Sequence, residues 1–169
     1  MIRIVAFSDS HGAEEKLEDA VRHAYSHGRV DMLLFLGDGV REWERVCANL
    51  PVQYPQANCR YVMGNNDLGC RGEDEILFSA GKAKVFACHG QWLGVKTTLT
   101  RLLYKAMEQE ANIAFYGHTH VSRVDEVDGV LLVNPGSVRD AYRMRSVAYA
   151  EVLVSDNGKA TARLVHWDD

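Results

Sequence analysis

The chain carries two hydrophobic rhythms in its first two thirds and only one in the remainder. "IRIVAF" (2–7) is a short run rich in Ile and Val and reads as a strand. Ala13, Leu17, Ala20, Val21 and Ala24 follow at i, i+4, i+7, i+8 and i+11, a spacing that predicts an amphipathic helix over 13–27. "MLLFLG" (32–37) is apolar without alternation, as expected of a strand covered on both faces. A second helix is predicted over 40–49, ending before Pro51, and "CRYVMG" (59–64) is the next strand. "EILFSAG" and "KAKVFAC" (75–88) meet at Gly81 as a hairpin. Residues 96–110 suit a helix with Leu99, Leu102, Leu103 and Ala106 on one stripe, and "IAFYG" (113–117) is again a strand. From there the pattern changes. "SRVDEV", "GVLLVN", "SVAYAEVLVS" and "KATARLVHW" are strands with no helix between them, turned at "DG" (128–129) and "DNG" (156–158). Strand–helix alternation followed by a run of strands predicts an α/β fold, two packed sheets with helices outside, as a single domain over 1–169.

Composition narrows the class. A length of 169 residues supports a full core, and 47% hydrophobic with 25% charged residues is ordinary for a globular protein. The net charge of −4 argues against a general nucleic-acid or membrane-surface binder, which would carry a basic face. Met1 runs directly into "IRIVAF" with no leader pattern, and no apolar run approaches the roughly 20 residues of a membrane span. Cys47, Cys59, Cys70 and Cys88 show no CxxC pairing and read as the reduced thiols of a cytoplasmic protein.

The chemistry collects at strand ends. Six predicted strands finish in "SDSHG", "GDG", "GNND", "HGQ", "GHTH" and "NPGS". Ligands of open α/β sheets bind outside the carboxyl ends of the strands. Strands running together would therefore bring Asp9, His11, Asp38, Asn65, His89, His118 and His120 to one rim, with glycines at 12, 37, 39, 64, 90 and 117 for the tight turns. Oxygen and nitrogen donors without a thiolate suit Mn²⁺ first, with Fe, Zn or Ni as alternatives. The set is too large for one catalytic ion that keeps an open position, and it fits two divalent ions if one aspartate bridges. Two such ions outweigh the aspartates in charge, attract a phosphate and supply a nucleophile by acidifying bound water toward pKa ~7.

"DSH" (9–11), "GD" (37–38), "GNND" (64–67), "HG" (89–90) and "GHTH" (117–120) resemble the five ordered blocks of the calcineurin-like metallophosphoesterases. The short length and "NPGS" (134–137) are similar to the small YfcE-like phosphodiesterase branch. The resemblance implies a four-layer αββα sandwich of two mixed β-sheets flanked by helices. It puts Asp9, His11 and His120 on a first ion and Asn65, His89 and His118 on a second, with Asp38 bridging. It also implies hydrolysis of a phosphoester, a diester first, by a hydroxide bridging the two ions, with a small-molecule or nucleotide substrate and room for a homo-oligomer. The retromer phosphoesterase-like subunit resembles the same family, so a scaffold that docks partners is the alternative. In an extended segment residues two apart share a face, which would let both histidines of "HTH" face one site.

One block departs from the family. Many members read "GNH" where this chain has Asn66, which can donate a hydrogen bond to a phosphoryl oxygen but supplies no proton at neutral pH. General acid catalysis contributes roughly 10²–10⁴-fold, so poor leaving groups should suffer most. Asp67 is expected either to orient a neighbouring ligand or to serve as a turn carboxylate. Arg41 and Arg71 follow metal-binding blocks and could hold a further phosphate group or lie solvated in their loops. The same choice applies to Arg139 and Arg143, and Trp92 divides between lining the pocket and packing. Ser137 has no histidine–acid pair free of the metal set and is not expected to be a nucleophile.

Overall fold

Alternation within the first strand sets the layering. In the computed structural model, which describes residues 1–54, 58–140 and 147–167, β1 (Ile2–Phe7) turns Ile4 and Ala6 to one face and Val5 and Phe7 to the other. All four are fully buried, so both faces of this strand meet protein and the sequence shows no polar stripe. β2 (Met32–Phe35) and β3 (Asn58–Tyr61) continue the sheet in parallel on one side of β1. The second sheet is built from β4 (Glu75–Ala80), β5 (Ala83–Cys88), β6 (Ile113–Phe115), β7 (Arg123–Val127) and β8 (Val130–Asn134), in the order β4-β5-β6-β8-β7. β9 (Ala148–Val154) and β10 (Ala160–His166) return to the first sheet as antiparallel strands and give it the order β10-β9-β1-β2-β3.

Ile4, Ala6, Leu34, Val85, Phe115 and Val133 belong to the apolar core between the sheets. α1 (Glu14–Ser26) and α2 (Val40–Gln53) cover the outer face of the first sheet through Leu17, Val21, Trp43 and Val46, packed with Phe7 and Phe35. Trp43 stacks on Phe35 at 5.3 Å between ring centroids and 11° between planes, which fixes the start of α2 over the sheet. α3 (Thr100–Glu108) covers the second sheet with Leu102, Leu103 and Ala106. The result is the expected four-layer αββα sandwich. Truncating a core leucine such as Leu102 to alanine should cost about 2–5 kcal/mol.

Two helix boundaries differ from the sequence reading by a turn or more. α2 continues past position 49 to Gln53, and its last turn closes through Tyr54 N–H to the Leu50 carbonyl at 2.5 Å. The stripe of Trp43, Val46 and Leu50 is buried in the outer core, and that packing outweighs the single amide donor a proline removes. α3 starts only at Thr100, because a 3-10 turn (Gln91–Leu93) and a turn closed by Thr97 N–H on the Gly94 carbonyl occupy the segment before it. The β7–β8 hairpin turns at Asp128 and Gly129, both at positive φ (50° and 79°), as a two-residue "DG" connection requires. Arg143 and Ser146 lie outside the described residues. All four cysteines are unpaired, and no helix among the described residues is long and apolar enough to cross a membrane.

Candidate metal centre

β1, β2 and β3 run parallel in one sheet, and β5, β6 and β8 run parallel in the other. Their carboxyl ends deliver the polar loops to one place. Asp9 Oδ1, His11 Nε2 and His120 Nε2 form a triangle with edges of 3.0 Å (His11–His120), 3.1 Å (Asp9–His120) and 3.4 Å (Asp9–His11). Donors about 2.0–2.2 Å from one ion, as around zinc, lie roughly 3.0–3.5 Å apart, so this triangle has the size of one face of a coordination shell. A second group joins Asp38, His89 and His118: His89 Nε2 lies 3.4 Å from Asp38 Oδ2 and 3.2 Å from His118 Nδ1. The groups adjoin, since Asp38 Oδ2 is 3.7 Å from His11 Nε2 and Asp9 Oδ1 is 4.0 Å from His89 Nε2.

The donor set fits a cation on independent grounds. Asp9 is fully buried, and its Oδ1 accepts no hydrogen bond although imidazole nitrogens surround it. A buried carboxylate oxygen without a partner is costly unless it is paired or ligates a metal. Five of the seven non-glycine residues at positive φ among the described residues are Asp9, His11, Asp38, His118 and His120, with φ between 41° and 68°. Backbone held in this sparsely populated region concentrates where geometry serves a site. The same values correct the extended reading of "HTH". His118 and His120 share no strand face; each sits in a left-handed turn, which sends His118 Nδ1 to one group and His120 Nε2 to the other.

Surrounding groups hold the donors in place. His89 Nδ1–H donates to the Leu36 carbonyl at 2.5 Å, which leaves Nε2 to face Asp38. Asp9 Oδ2 accepts from Ser8 Oγ at 2.5 Å and from the His118 amide at 3.1 Å. Asp38 accepts from the Asn66 amide (2.8 Å on Oδ1) and from Asn66 Nδ2 (2.7 Å on Oδ2). Asp67 is buried and is held by backbone amides. Its Oδ2 accepts from the amides of Asp38 and Gly64 at 2.7 Å, and its Oδ1 from those of Gly39 (2.8 Å) and Val40 (2.9 Å). It therefore ties the two donor loops and the start of α2 into one unit. Gly37 and Gly64 permit that closeness: a Cβ on Gly37 would stand 2.5 Å from the Gly64 nitrogen, and one on Gly64 would overlap Asp38 Oδ1.

Mutual charge sets the protonation. Burial pushes Asp9 upward, but the adjacent His11, His120 and His89 imidazoles outweigh it and hold the carboxyl well below its ordinary range. Asp38 is also lowered, burial being outweighed by His89 and by the two Asn66 donors. Burial, the largest single effect, pushes His89 down, but Asp38, Asp9 and the Leu36 carbonyl together outweigh it and raise the imidazole. His120 is raised chiefly by Asp9, against burial and with help from Asp140. His118 goes the other way, pushed down to about 4 by burial and by the charges of His89 and Lys96.

Asn65 and Asn66 are both exposed at the loop end. Arg41 lines a groove of about 230 Å³ with His11, Asp38 and Asn66, whereas Arg71, exposed on the following loop, is not in its wall. Trp92 is 72% exposed and so is not a packing residue. Ser137 serves the turn: its hydroxyl donates to the Asp9 carbonyl at 2.8 Å and accepts from the amides of Arg139 and Asp140. The sequence reading missed Ser8, the Leu36 carbonyl and Asp140, whose Oδ1 lies 3.4 Å from His120 Nδ1. Only the "SDSH" spacing hinted at Ser8; a carbonyl and a distant loop acid leave no motif.

A sandwich of two mixed sheets with acidic and imidazole donors on adjoining loops defines a phosphoesterase fold with a candidate metal centre. The chain belongs to the calcineurin-like phosphoesterase superfamily, whose domain it matches over residues 2–157. It is 35% identical over 163 residues to the probable metallophosphoesterase YsnB of Bacillus subtilis, covering 96% of this chain and 89% of that one. It is 26% identical over 146 residues to phosphodiesterase MJ0936 of Methanocaldococcus jannaschii, covering 80% and 83% of the two chains. A crystal structure of a predicted phosphoesterase from Streptococcus pneumoniae matches with a TM-score of 0.73 at 25% identity, over 98% of each chain.

Proposed function

We propose that this protein is a metal-dependent phosphodiesterase whose two donor groups each hold one divalent ion, Mn²⁺ first. The observation that carries the reading is the Asp9–His11–His120 triangle, with ligand-sized edges and a buried oxygen lacking a hydrogen bond. Asn65 would complete the second group, and Asp38, which faces histidines of both groups, would be shared. When bound, such ions supply Lewis acidity and a water-derived nucleophile at neutral pH.

The chain's own residues do the rest. Leu36 and Asp67 fix donor orientation and loop spacing, so little ordering is needed when a phosphate arrives. Arg41 stands in the groove beside His11 and Asp38, where its guanidinium would pair with a phosphoryl oxygen. Asn66 keeps Asp38 in position and offers no acid for the leaving oxygen, so activated aryl diesters should turn over better than alkyl diesters. An intact ligand set favours this reading over a docking scaffold, which has no need of it.

The test is hydrolysis of bis(4-nitrophenyl) phosphate by metal-stripped protein with and without Mn²⁺. Turnover that needs metal and disappears in folded His120→Ala supports the assignment. Two ions bound per chain without turnover on any aryl ester would overturn it. Asn66→His should raise activity on an alkyl diester, and no gain in a folded, metal-loaded variant would refute the missing-acid argument.

A further inference from the structure

A second cavity, beside the metal centre and not part of it, is lined by other residues. Between the 95–100 segment leading into α3 and the outer face of β7 runs a cleft of about 560 Å³, inside the roughly 300–1,000 Å³ of small-molecule sites. It exists because α3 packs over β6 and β8, while β7 is the sheet edge beyond them. Strand alternation sends Arg123, Asp125 and Val127 to that outer face, while Val124 packs toward the core between the sheets.

The lining chemistry is specific. Leu99, Tyr116 and Leu132 give an apolar floor, and Thr98 and Thr100 add hydroxyls at the rim. Arg123 and Asp125 satisfy each other in a two-bond pair (Nε–Oδ2 2.6 Å, Nη2–Oδ1 2.9 Å), so that wall presents hydrogen-bonding edges without net charge. An apolar floor with a neutral polar wall suits an uncharged ring with polar edges better than a phosphate.

Two wall residues lie against the ligand loops. Val95 packs on Gly90, the residue after His89: a Cβ on Gly90 would stand 2.7 Å from a Val95 methyl. Thr119, which also lines the cleft, sits between His118 and His120 and is held by Asn134 Nδ2 at 3.0 Å. Lys96, which is exposed and lines the cleft as Arg123 does, forms no ion pair among the described residues. A molecule lying in the cleft would thus have its end beside the phosphate position with an ammonium nearby.

We propose that this cleft receives an uncharged aromatic or heterocyclic group esterified to the phosphate, which makes it the specificity pocket for one arm of a diester. The proposal rests on the phosphodiesterase reading, and its test separates the two. Thymidine is the ligand probe, added to zinc-loaded protein with methyl resonances followed by NMR. Shifts at Leu99 and Leu132 that vanish in Thr98→Trp and Val127→Trp, both exposed rim substitutions, support the pocket. In parallel, the manganese-loaded protein is offered the 4-nitrophenyl esters of methyl phosphate and of thymidine 5′-phosphate, which share a leaving group. The nucleoside ester should have a KM about tenfold lower, the worth of burying roughly one ring face. Both tryptophan variants should erase that difference and leave the methyl ester unchanged. Absent shifts, or a preference that survives both variants, would overturn the proposal. Failure to hydrolyse either ester counts against the phosphodiesterase reading alone, because the resonance shifts do not depend on turnover.

Discussion

Replacing Asp67 with asparagine is the sharpest test of how the site is assembled. The carboxylate accepts four backbone amides, two on each oxygen. Asparagine keeps one acceptor oxygen, so whichever way it turns, two amides face an NH₂ group. Each buried donor left unpaired costs about 1–3 kcal/mol. Loss of a negative charge at the start of α2 adds about 0.5 kcal/mol, and the total comes to about 4 kcal/mol. For a chain of this size, 1 kcal/mol moves Tm by about 2–4 °C, so the midpoint should fall by about 12 °C. Because Asp67 acts through the backbone of Asp38, Mn²⁺ affinity should also fall, by about 10–100-fold. Thermal unfolding without metal reads the first effect and calorimetric titration the second. A stability loss under about 1 kcal/mol, measured alongside Asp67→Ala, would show that solvent satisfies these amides and refute the reasoning.

Glu151 is buried, and the hydrogen bonds from Arg163 and Arg3 overcome the burial penalty and lower its pKa. Its stabilising effect is therefore present above the unfolded value of about 4.3 and fades as pH falls through the lower folded value. In urea titrations Glu151→Gln should be weaker than the native chain above about pH 4.5 and converge with it in acid; a gap independent of pH would contradict this. His89 and His120 are raised above the ordinary histidine value while His118 titrates at about 4, so ion binding at pH 6 must strip protons from the first two and none from the third. Calorimetry in buffers of different ionisation heat should register a release of about one proton or more, and heats independent of buffer would rule the account out. Gly64→Ala should cripple metal binding because its Cβ meets Asp38, whereas Gly12→Ala, with nothing within 4 Å but a φ of 88°, should cost only about 1 kcal/mol. Equal losses from the two would show that backbone strain, not collision, governs these turns.

The sequence exposes the strand ends because nothing else explains acids and imidazoles at the tip of runs such as "MLLFLG" and "IAFYG", whose residues are buried on both faces. Layering is legible for the same reason. What stays hidden depends on partners distant in the chain. Asp67 looks like a turn residue until Asp38, Gly39 and Val40 are seen to point their amides at it. Strand geometry puts His118 and His120 on one shared face, yet left-handed turns aim them at two donor groups, and no periodicity encodes those turns. The extension of α2 depends on what Trp43 and Leu50 meet across the layer. The cleft beside β7 exists only because α3 leaves the sheet edge bare, which no local pattern records.

The left-handed backbone at Asp9, His11, Asp38, His118 and His120 carries an implication for how such a chain can drift. Each L-residue in that conformation costs about 1 kcal/mol relative to glycine, and the sum of about 5 kcal/mol rivals the whole stability of many domains. Exchange of one of the three half-buried histidines for glycine would then relieve the backbone and ruin ion binding, whereas Asp9 and Asp38 are also held by the hydrogen bonds they accept. That backbone gradient runs away from ion binding at three separate positions. Relaxed demand for hydrolysis would let the sequence shed its donors while gaining thermal resistance, and the sandwich would outlast its chemistry.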